Sequence, residues 1–287
     1  LGGGAVTLRN PEPIAAFAFL FSVGEAEGLV EDLVDKLREV RNLGKADQLM
    51  ALAQVPGLYV PSLYEPRYEG ERFLGLEPKA GVPAQIAKNY ISREQFDEVN
   101  SSSCLMTENT EFANTFLIEV SRGCPYVCRF CTVGFSYPKV RWKPLDRLWE
   151  DIATVKQYQP RIGLISATVG NHPDIEKLCE RLMQEDLSVA FSSLRADRLP
   201  DAILDTLVRG GSHSMTLAPE TGSETLRKSI NKRFSDAQYF EAAQRAFRRG
   251  IKNIKMYSMV GLPNELDEDM DALVAMVQET RKIQVAE

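Results

Sequence analysis

TFLIEVSRGCPYVCRFC, residues 115–131, leads from an apolar run of strand character into a loop with three cysteines. Branched and aromatic side chains over 115–120 predict a short buried strand. The polar linker 121–123 follows directly, so the cysteines lie at the carboxyl end of that strand. The three clustered cysteines are Cys124, Cys128 and Cys131.

Downstream of the cysteines, a pattern of an apolar strand followed by an amphipathic helix repeats. Four more buried strands are predicted, over 162–166, 189–194, 215–218 and 254–260. Ser235 is predicted to cap the helix that ends at Gly250. Repeated strand–helix units imply a parallel sheet whose active site lies at the carboxyl ends of its strands. We therefore predict an α/β fold, a partial (βα)6 TIM-like barrel over 115–287, with five recognisable strands.

The first 60 residues predict a smaller strand–helix unit. The apolar run 14–23 predicts a buried strand, and apolar residues at helical spacing predict helices over 29–40 and 47–54. The opening glycines lead straight into this pattern, so we expect the chain to begin inside a domain. Residues 61–114 are rich in prolines, charges and serines without a sustained period, and predict a connecting segment that lies over the surface.

The composition, 44% hydrophobic and 26% charged residues, is that of a folded globular protein. Its 34 basic and 40 acidic side chains give a formal charge of -6, which argues against a protein that mainly neutralises nucleic-acid phosphates, although a local basic patch stays open. The longest apolar stretch is shorter than the roughly 20 residues of a membrane span. No signal-peptide pattern is evident, so we expect no membrane partner and a cytoplasmic location.

Three thiolates on one short loop can hold three irons of a four-iron cluster and leave the fourth iron open to a small molecule. A structural zinc site is the alternative, because zinc also takes cysteines at short intervals. Its fourth ligand would have to come from Cys104, Cys179, His172 or His213. Cys179 shares an apolar helix face and is interpreted as a core residue, and His172 as a polar cap at a helix start.

The spacing of three and then two residues between the cysteines, with Phe130 before the last one, resembles the signature of the radical S-adenosylmethionine superfamily. The resemblance implies a [4Fe-4S] cluster that binds the methionyl amine and carboxylate of S-adenosylmethionine and cleaves it reductively to a 5'-deoxyadenosyl radical. It also implies a one-electron donor such as flavodoxin or ferredoxin.

Polar residues near the ends of the later strands are similar to the contacts that this superfamily makes with S-adenosylmethionine. Segment 165–170 occupies the place of the glycine-rich strand end but departs from the usual Gly-Gly-Glu form. Segment 218–224 is similar to one that methylthiotransferases carry, which implies that Glu220 faces the ribose or amine and Lys232 the carboxylate. The implied cofactor-binding residues are Phe130, Ser166, Thr168, Ser193, Arg195, Glu220, Lys232, Tyr257, Met259 and Gly261.

Two charged residues of this set, Glu220 and Lys232, have an alternative interpretation. Taken singly, Glu220 could cap the helix that begins near Ser223, and Lys232 could be a solvated surface cation. The order of the matching segments from Phe116 to Pro263 favours the functional interpretation.

The N-terminal region resembles the closing part of the cobalamin-binding domain that precedes many members of the superfamily. The resemblance rests on residues 2–7, GGGAVT, and on the run that ends at Glu25. The Asp-Xxx-His cobalt-ligand motif is absent from the sequence, whereas residues 107–112 look like the lead-in of cobalamin-type members. Residues 1–60 are thus interpreted as the remnant of a Rossmann-like cobalamin-binding domain, with cobalamin as a candidate third cofactor.

Three functions follow from these resemblances. The leading hypothesis is radical chemistry for a cobalamin-dependent methyl transfer to an unknown substrate. A methylthiotransferase acting on RNA or protein is the enzymatic alternative, although it normally carries a second cysteine cluster, which this sequence does not show. The alternative of another class is a non-enzymatic iron–sulfur or zinc module.

Overall fold

The computed structural model describes residues 1–4, 9–137, 139–158 and 160–287 in two compact units, residues 1–99 and 100–287. Residues 5–7 of the predicted cobalamin loop lie outside the described residues. The predicted division at residues 60 and 114 stays a prediction. Of the helices that the structure describes, none is long and apolar enough to cross a membrane.

In its described residues, unit 1 combines short strands with three α-helices. Its elements are β1 (Phe21–Ser22), α1 (Leu29–Val40), α2 (Lys45–Leu52), β2 (Leu58–Tyr59), β3 (Tyr64–Glu69), β4 (Arg72–Pro78) and α3 (Arg93–Glu98). Strand β1 pairs antiparallel with β2, and β3 with β4. A separate apolar core lies among β1, β2, α1 and α2. The predicted helices over 29–40 and 47–54 are confirmed, the second one beginning and ending two residues earlier.

Two features of unit 1 differ from the sequence-based expectation. The predicted strand over 14–23 is wrong for most of its length, because Glu12–Phe17 is a 3-10 turn and only Phe21–Ser22 is a strand. Pro13 at the start of the turn explains the difference, since its fixed φ suits a helical turn and it has no N–H for a sheet. Phe17 is 89% exposed rather than buried. The β3–β4 hairpin and α3, which lie within 61–114, are elements that the sequence analysis did not predict.

Unit 2 alternates strands and helices along the chain. Its strands are β5 (Thr115–Glu119), β6 (Ser121–Arg122), β7 (Arg141–Trp142), β8 (Arg161–Ile165), β9 (Val189–Phe191), β10 (Ser214–Glu220) and β11 (Asn253–Ser258). Its helices are α4 (Val133–Ser136), α5 (Leu145–Val155), α6 (Ile175–Gln184), α7 (Asp201–Arg209), α8 (Glu224–Ser229), α9 (Asp236–Arg248) and α10 (Asp267–Ala286).

The five predicted strands are all present, and they pair in parallel. Strand β8 lies between β5 and β9, β10 pairs with β11, and the bridge between Leu194 and Leu217 joins the two groups. Within the described residues β5 and β11 do not pair with each other, so this sheet is open. The parallel α/β fold is confirmed, and closure into a six-unit barrel stays a prediction.

The core of unit 2 lies between the parallel sheet and the apolar stripes of its helices. Helices α5, α6 and α7 bury the stripes that the sequence predicted, against strands that are apolar because helices cover the sheet. Cys179 belongs to this core and is fully buried, as predicted. Ser235 caps α9, since its hydroxyl accepts a hydrogen bond from the Gln238 amide in a capping box. This packing holds the carboxyl ends of the strands in place, which is where the cysteines lie.

Candidate functional site

A two-strand clamp holds the base of the cysteine loop, which we define as residues 123–137. Strand β6 leaves β5 and pairs antiparallel with β7, so the chain enters and leaves the loop side by side. Gly123 has a φ of +98°, and a β-carbon there would lie 2.8 Å from the carbonyl oxygen of Tyr137. The loop therefore needs glycine where it departs from the clamp.

The cysteine loop is tightly wound. A β-carbon on Gly134 would lie 1.9 Å from the carbonyl oxygen of Tyr126, so only glycine permits this approach of backbone to backbone. Within the loop, the Cys131 amide donates to the Cys128 carbonyl oxygen at 3.0 Å. These contacts wind the segment that carries the three cysteines into a compact loop.

The cysteine loop also docks on the end of α8. The backbone amide of Arg129 donates to the Ile230 carbonyl at 2.9 Å, and its guanidinium donates to the Ser229 carbonyl at 2.6 Å. In return, the Asn231 side-chain amide donates to the Val127 carbonyl at 3.0 Å. These three bonds carry the next residue along the chain, Lys232, to the loop.

A cavity of about 240 Å³ opens at this place. It is lined by all three clustered cysteines and by seven of the ten predicted cofactor-binding residues. The seven are Phe130, Thr168, Ser193, Arg195, Glu220, Lys232 and Tyr257. Segments far apart in sequence thus meet in one cavity at the carboxyl ends of the strands, and the functional roles of these residues stay predictions.

Three predicted residues do not line the cavity. Ser166 is buried, and its hydroxyl lies 2.6 Å from that of Ser121 and accepts a bond from the Thr168 amide at 3.0 Å. The Met259 amide donates to the Glu220 carbonyl at 2.8 Å. The Gly261 amide donates to the Glu265 carboxylate at 2.5 Å. Ser166 and Met259 thus hydrogen-bond residues that line the cavity, namely Thr168 and Glu220. Gly261 belongs to a turn after β11.

Glu220 and Lys232 form a shielded ion pair on the cavity wall. Their closest atoms are 2.6 Å apart, and their side chains are only 12% and 7% exposed. The interpretation of Lys232 as a solvated surface cation is therefore wrong. Ser223 supplies the cap of α8, because its hydroxyl accepts from the Leu226 amide, so Glu220 does not have that role.

Glu220 also adopts an uncommon backbone conformation. Its φ is +67°, and the β10–β11 register shifts between Leu217 and Glu220. A left-handed conformation is costly for a residue other than glycine and is frequent at functional sites. The bulge turns the Glu220 carboxylate toward Lys232 rather than continuing the alternation of the strand.

Burial and positive charge act in opposite directions on the cysteines. Burial raises the pKa of the Cys124 and Cys128 thiols, and the positive charge of Arg195 lowers both. Lys232 adds a second positive charge that lowers the pKa of Cys128. Burial is the larger effect, so the net pKa of both thiols is raised and they are protonated without a metal, while the cations favour the thiolates that a metal group would bind.

The donor set fits a four-iron cluster by its chemistry: three thiols on one loop, with two cations beside them and a cavity in front. Across the described ranges, no group of three or more histidine, cysteine, aspartate or glutamate side chains is assembled closely enough to hold a single metal ion. The candidates for a fourth zinc ligand do not line the cavity either. They are Cys104, Cys179, His172 and His213.

His172 has the structural role that the sequence predicted. It is buried, its Nε2 lies 2.8 Å from the Lys143 carbonyl oxygen, and its Nδ1 accepts from the Asp174 amide at 3.1 Å. Burial lowers its pKa. Both ring nitrogens are thus used in fixing the start of α6.

Tyr126 is a cavity residue that the sequence analysis missed. It lies between two of the cysteines, and its ring packs under the Arg195 guanidinium at 3.9 Å. Its hydroxyl lies 3.1 Å from the side-chain nitrogen of Asn171 and 3.3 Å from Nε of Arg198. The available sequence signal for Tyr126 was its position as an aromatic residue between clustered cysteines. Its contact partners are distant in sequence, so no local pattern indicated them.

The fold and the site define an α/β protein that presents three thiols and a shielded ion pair at the carboxyl ends of a parallel sheet. The profile of the radical SAM superfamily matches residues 118–277, which is more than half of the chain. The chain therefore belongs to the radical S-adenosylmethionine superfamily of enzymes, and membership implies a [4Fe-4S] cluster and S-adenosylmethionine as cofactors. A second profile, of the N-terminal region of radical SAM proteins, matches residues 1–61.

Three natural proteins illustrate the similarity of this chain in sequence. An uncharacterized protein of Methanocaldococcus jannaschii is 30% identical over 287 residues, covering 98% of this chain and 56% of that protein. An uncharacterized methyltransferase of Pyrococcus horikoshii is 24% identical over 55% of this chain and 35% of its own length. The ribosomal protein uS12 methylthiotransferase RimO of Geobacter sulfurreducens is 23% identical over 90% of this chain and 61% of its own length. This chain thus spans about half the length of the first of these relatives.

Two solved structures share the fold. The cobalamin-dependent S-adenosylmethionine radical enzyme OxsB matches with a TM-score of 0.59 at 17% identity, over 96% of this chain and 38% of its own. The radical S-adenosylmethionine methyltransferase TsrM from Kitasatospora setae also matches with a TM-score of 0.59, at 13% identity, over 98% of this chain and 53% of its own. At these identities the likeness establishes the fold.

Proposed function

We propose that this chain is the core of a radical enzyme that cleaves S-adenosylmethionine reductively to a 5'-deoxyadenosyl radical, and that it serves a cobalamin-dependent methyl transfer. The observation that carries the proposal is the cavity in which three cysteines meet the shielded Glu220–Lys232 pair. Such a cavity offers a metal-binding loop and a charged recognition pair for an amino-acid group within one small space.

The residues divide into two groups by role. Cys124, Cys128 and Cys131 hold a [4Fe-4S] cluster, which when bound supplies one low-potential electron from a donor such as flavodoxin or ferredoxin. The remaining cavity residues bind S-adenosylmethionine. Lys232 binds the carboxylate and Glu220 the ribose or amine, while Phe130 and Tyr257 offer aromatic surface to the adenine.

Methyl transfer is the reaction class that the relatives favour. The Pyrococcus horikoshii relative is named a methyltransferase, TsrM is a methyltransferase with cobalamin bound, and OxsB is cobalamin-dependent. The formal charge of -6 argues against a nucleic acid as the substrate. The acceptor is therefore proposed to be a small molecule or a protein.

The proposed activity is tested by anaerobic reconstitution with iron and sulfide. We expect about four irons and four sulfides per chain, and 5'-deoxyadenosine formation when S-adenosylmethionine and a reductant are added. Bound zinc without sulfide would contradict the proposal. A full cluster without 5'-deoxyadenosine would remove the enzymatic part and leave an iron–sulfur module.

A methylthiotransferase is the second candidate, favoured by the likeness of segment 218–224 and by RimO among the relatives. The two remaining cysteines of the chain do not suggest another cluster, because Cys104 is exposed and Cys179 lies in the core. About four irons per chain are therefore expected for either function, and the group transferred to the acceptor, methylthio or methyl, distinguishes the two.

Lys232→Met is expected to weaken S-adenosylmethionine binding by about tenfold or more. A charge-assisted contact shielded from solvent contributes roughly 1.5–3 kcal/mol, and 1.4 kcal/mol corresponds to a factor of ten. Lys228→Met is the matched control, because Lys228 lies on the neighbouring helix α8 with a side chain that is 68% exposed. Equal affinity of the two variants, measured by titration of the reconstituted chain, would contradict the role of Lys232.

Cobalamin is expected to bind poorly to this chain by itself. Strands β1 and β2 have two residues each, and such a small sheet cannot bury a corrin ring. The unit 1 cavity bordered by Tyr59, Tyr64 and Phe73 measures about 460 Å³, which suits a smaller ligand. Equilibrium dialysis against hydroxocobalamin measures the affinity. Tight binding would show that unit 1 or unit 2 already contains a corrin site.

A further inference from the structure

Tyr126 of the cysteine loop is held by contacts at its hydroxyl and at the face of its ring. Its hydroxyl is within hydrogen-bond distance of Asn171 at 3.1 Å and of Arg198 at 3.3 Å. Its ring face lies 3.9 Å from the guanidinium carbon of Arg195. A tyrosine fixed in this way acts as a platform for the cation above it.

Arg195 is held from a second side by Asp197. Its Nε and Nη2 donate to the two carboxylate oxygens at 3.0 and 3.1 Å, and the two side chains are only 10% and 12% exposed. The ring of Phe234 lies 5.9 Å away. A planar guanidinium with one face on a ring and one edge on a carboxylate has little freedom to turn.

Arg195 lines the same cavity as Cys124 and Cys128 and lies over the ring of Tyr126, which stands between these two cysteines in the loop. Its positive charge lowers the pKa of both thiols. Hydrogen bonds and positive charge at a coordinating sulfur stabilise the more negative, reduced state of an iron–sulfur cluster, and so raise its reduction potential.

We infer that Tyr126 and Asp197 hold Arg195 beside the three cysteines so that the positive charge of the guanidinium raises the reduction potential of the cluster. Arg195 lines the cavity of the three cysteines, and Tyr126 is a positioning residue that acts through Arg195. The inference rests on the proposed function, because it requires that the three cysteines bind the cluster. It adds a role for Arg195 that does not need S-adenosylmethionine.

The test is a redox titration of the anaerobically reconstituted chain without S-adenosylmethionine, with the reduced cluster followed by electron paramagnetic resonance. Arg195→Gln is expected to shift the midpoint potential to more negative values, and Tyr126→Leu to shift it less in the same direction. The double variant is expected to match Arg195→Gln alone, because Tyr126 acts through the guanidinium.

Arg181→Gln is the matched control. The Arg181 guanidinium packs over the Trp149 ring at 3.8 Å, the same stacking as at Tyr126, but it does not line the cavity. We expect the wild-type potential for this variant. Arg195→Lys keeps the charge without the planar fork, and we expect its potential to lie between those of the wild type and Arg195→Gln.

Iron and sulfide are measured for every variant before the titration. An unchanged potential in fully loaded Arg195→Gln would overturn the inference, and so would additive shifts in the double variant. Failure of both Arg195→Gln and Arg195→Lys to load a cluster would also overturn it, because Arg195 would then be needed for assembly. A wild-type chain that binds no iron and sulfide would instead overturn the proposed function.

Discussion

Cys128→Ala is expected to abolish cluster loading and, with it, cleavage of S-adenosylmethionine. The variant leaves two thiols on the cysteine loop, whereas a cluster with one open iron needs three. Arg195 and Lys232 both lower the pKa of the Cys128 thiol, so Cys128 is the ligand position at which two positive charges favour a thiolate. Iron and sulfide analysis after reconstitution, followed by an assay for 5'-deoxyadenosine, measures the effect.

Cys104→Ala and Cys179→Ala are the controls for this experiment. Cys104 is exposed, and its variant is expected to load iron and to cleave S-adenosylmethionine as the wild type does. Cys179 is buried in the core of unit 2, so its variant is expected to have a lower Tm but to load the cluster. Loss of the cluster from Cys104→Ala as complete as that from Cys128→Ala would show that the ligand assignment is wrong.

Gly134→Ala has the second largest expected effect, although Gly134 is not a ligand. Its β-carbon would lie 1.9 Å from the Tyr126 carbonyl oxygen, so the backbone of the cysteine loop must move. Overpacking of this kind costs about 1–3 kcal/mol. We expect cluster loading to fall by about tenfold or more, given 1.4 kcal/mol for each factor of ten. The iron content and the Tm of the unloaded chain are the measurements.

Gly44→Ala is the matched control, because Gly44 has a negative φ and the nearest atom to its β-carbon would be 3.7 Å away. We expect this variant to load the cluster fully. If Gly134→Ala loaded iron as well as Gly44→Ala, the close approach to Tyr126 would not be needed for the site.

That the three cysteines meet in one place could be predicted because they are local in sequence. Cys124, Cys128 and Cys131 lie within eight residues and directly follow a strand, so their spacing and position are readable without a structure. Glu220 and Lys232 were predicted from the similarity of their segments to family contacts. Their direct ion pair was not predicted, because it depends on the left-handed backbone at Glu220 and on the bulge before it.

Other contacts join residues too far apart for any local pattern to indicate them. Tyr126 meets Asn171 across 45 positions, and Val127 meets Asn231 across 104. The wrong prediction of a strand over 14–23 has a different cause. Its apolar composition indicated burial, but Pro13 and the surrounding contacts determined the backbone.

By itself, the sequence determined the cysteine loop, the five parallel strands and the buried faces of their helices. Hydrophobic periodicity encodes the local backbone and its buried side, and thiol spacing encodes the metal chemistry. The tertiary structure alone decided which side chains surround the cysteines: Lys232 paired with Glu220, and Arg195 held between Tyr126 and Asp197. Those pairings depend on how the loops at the strand ends pack against one another, and no periodic pattern in the chain records that packing.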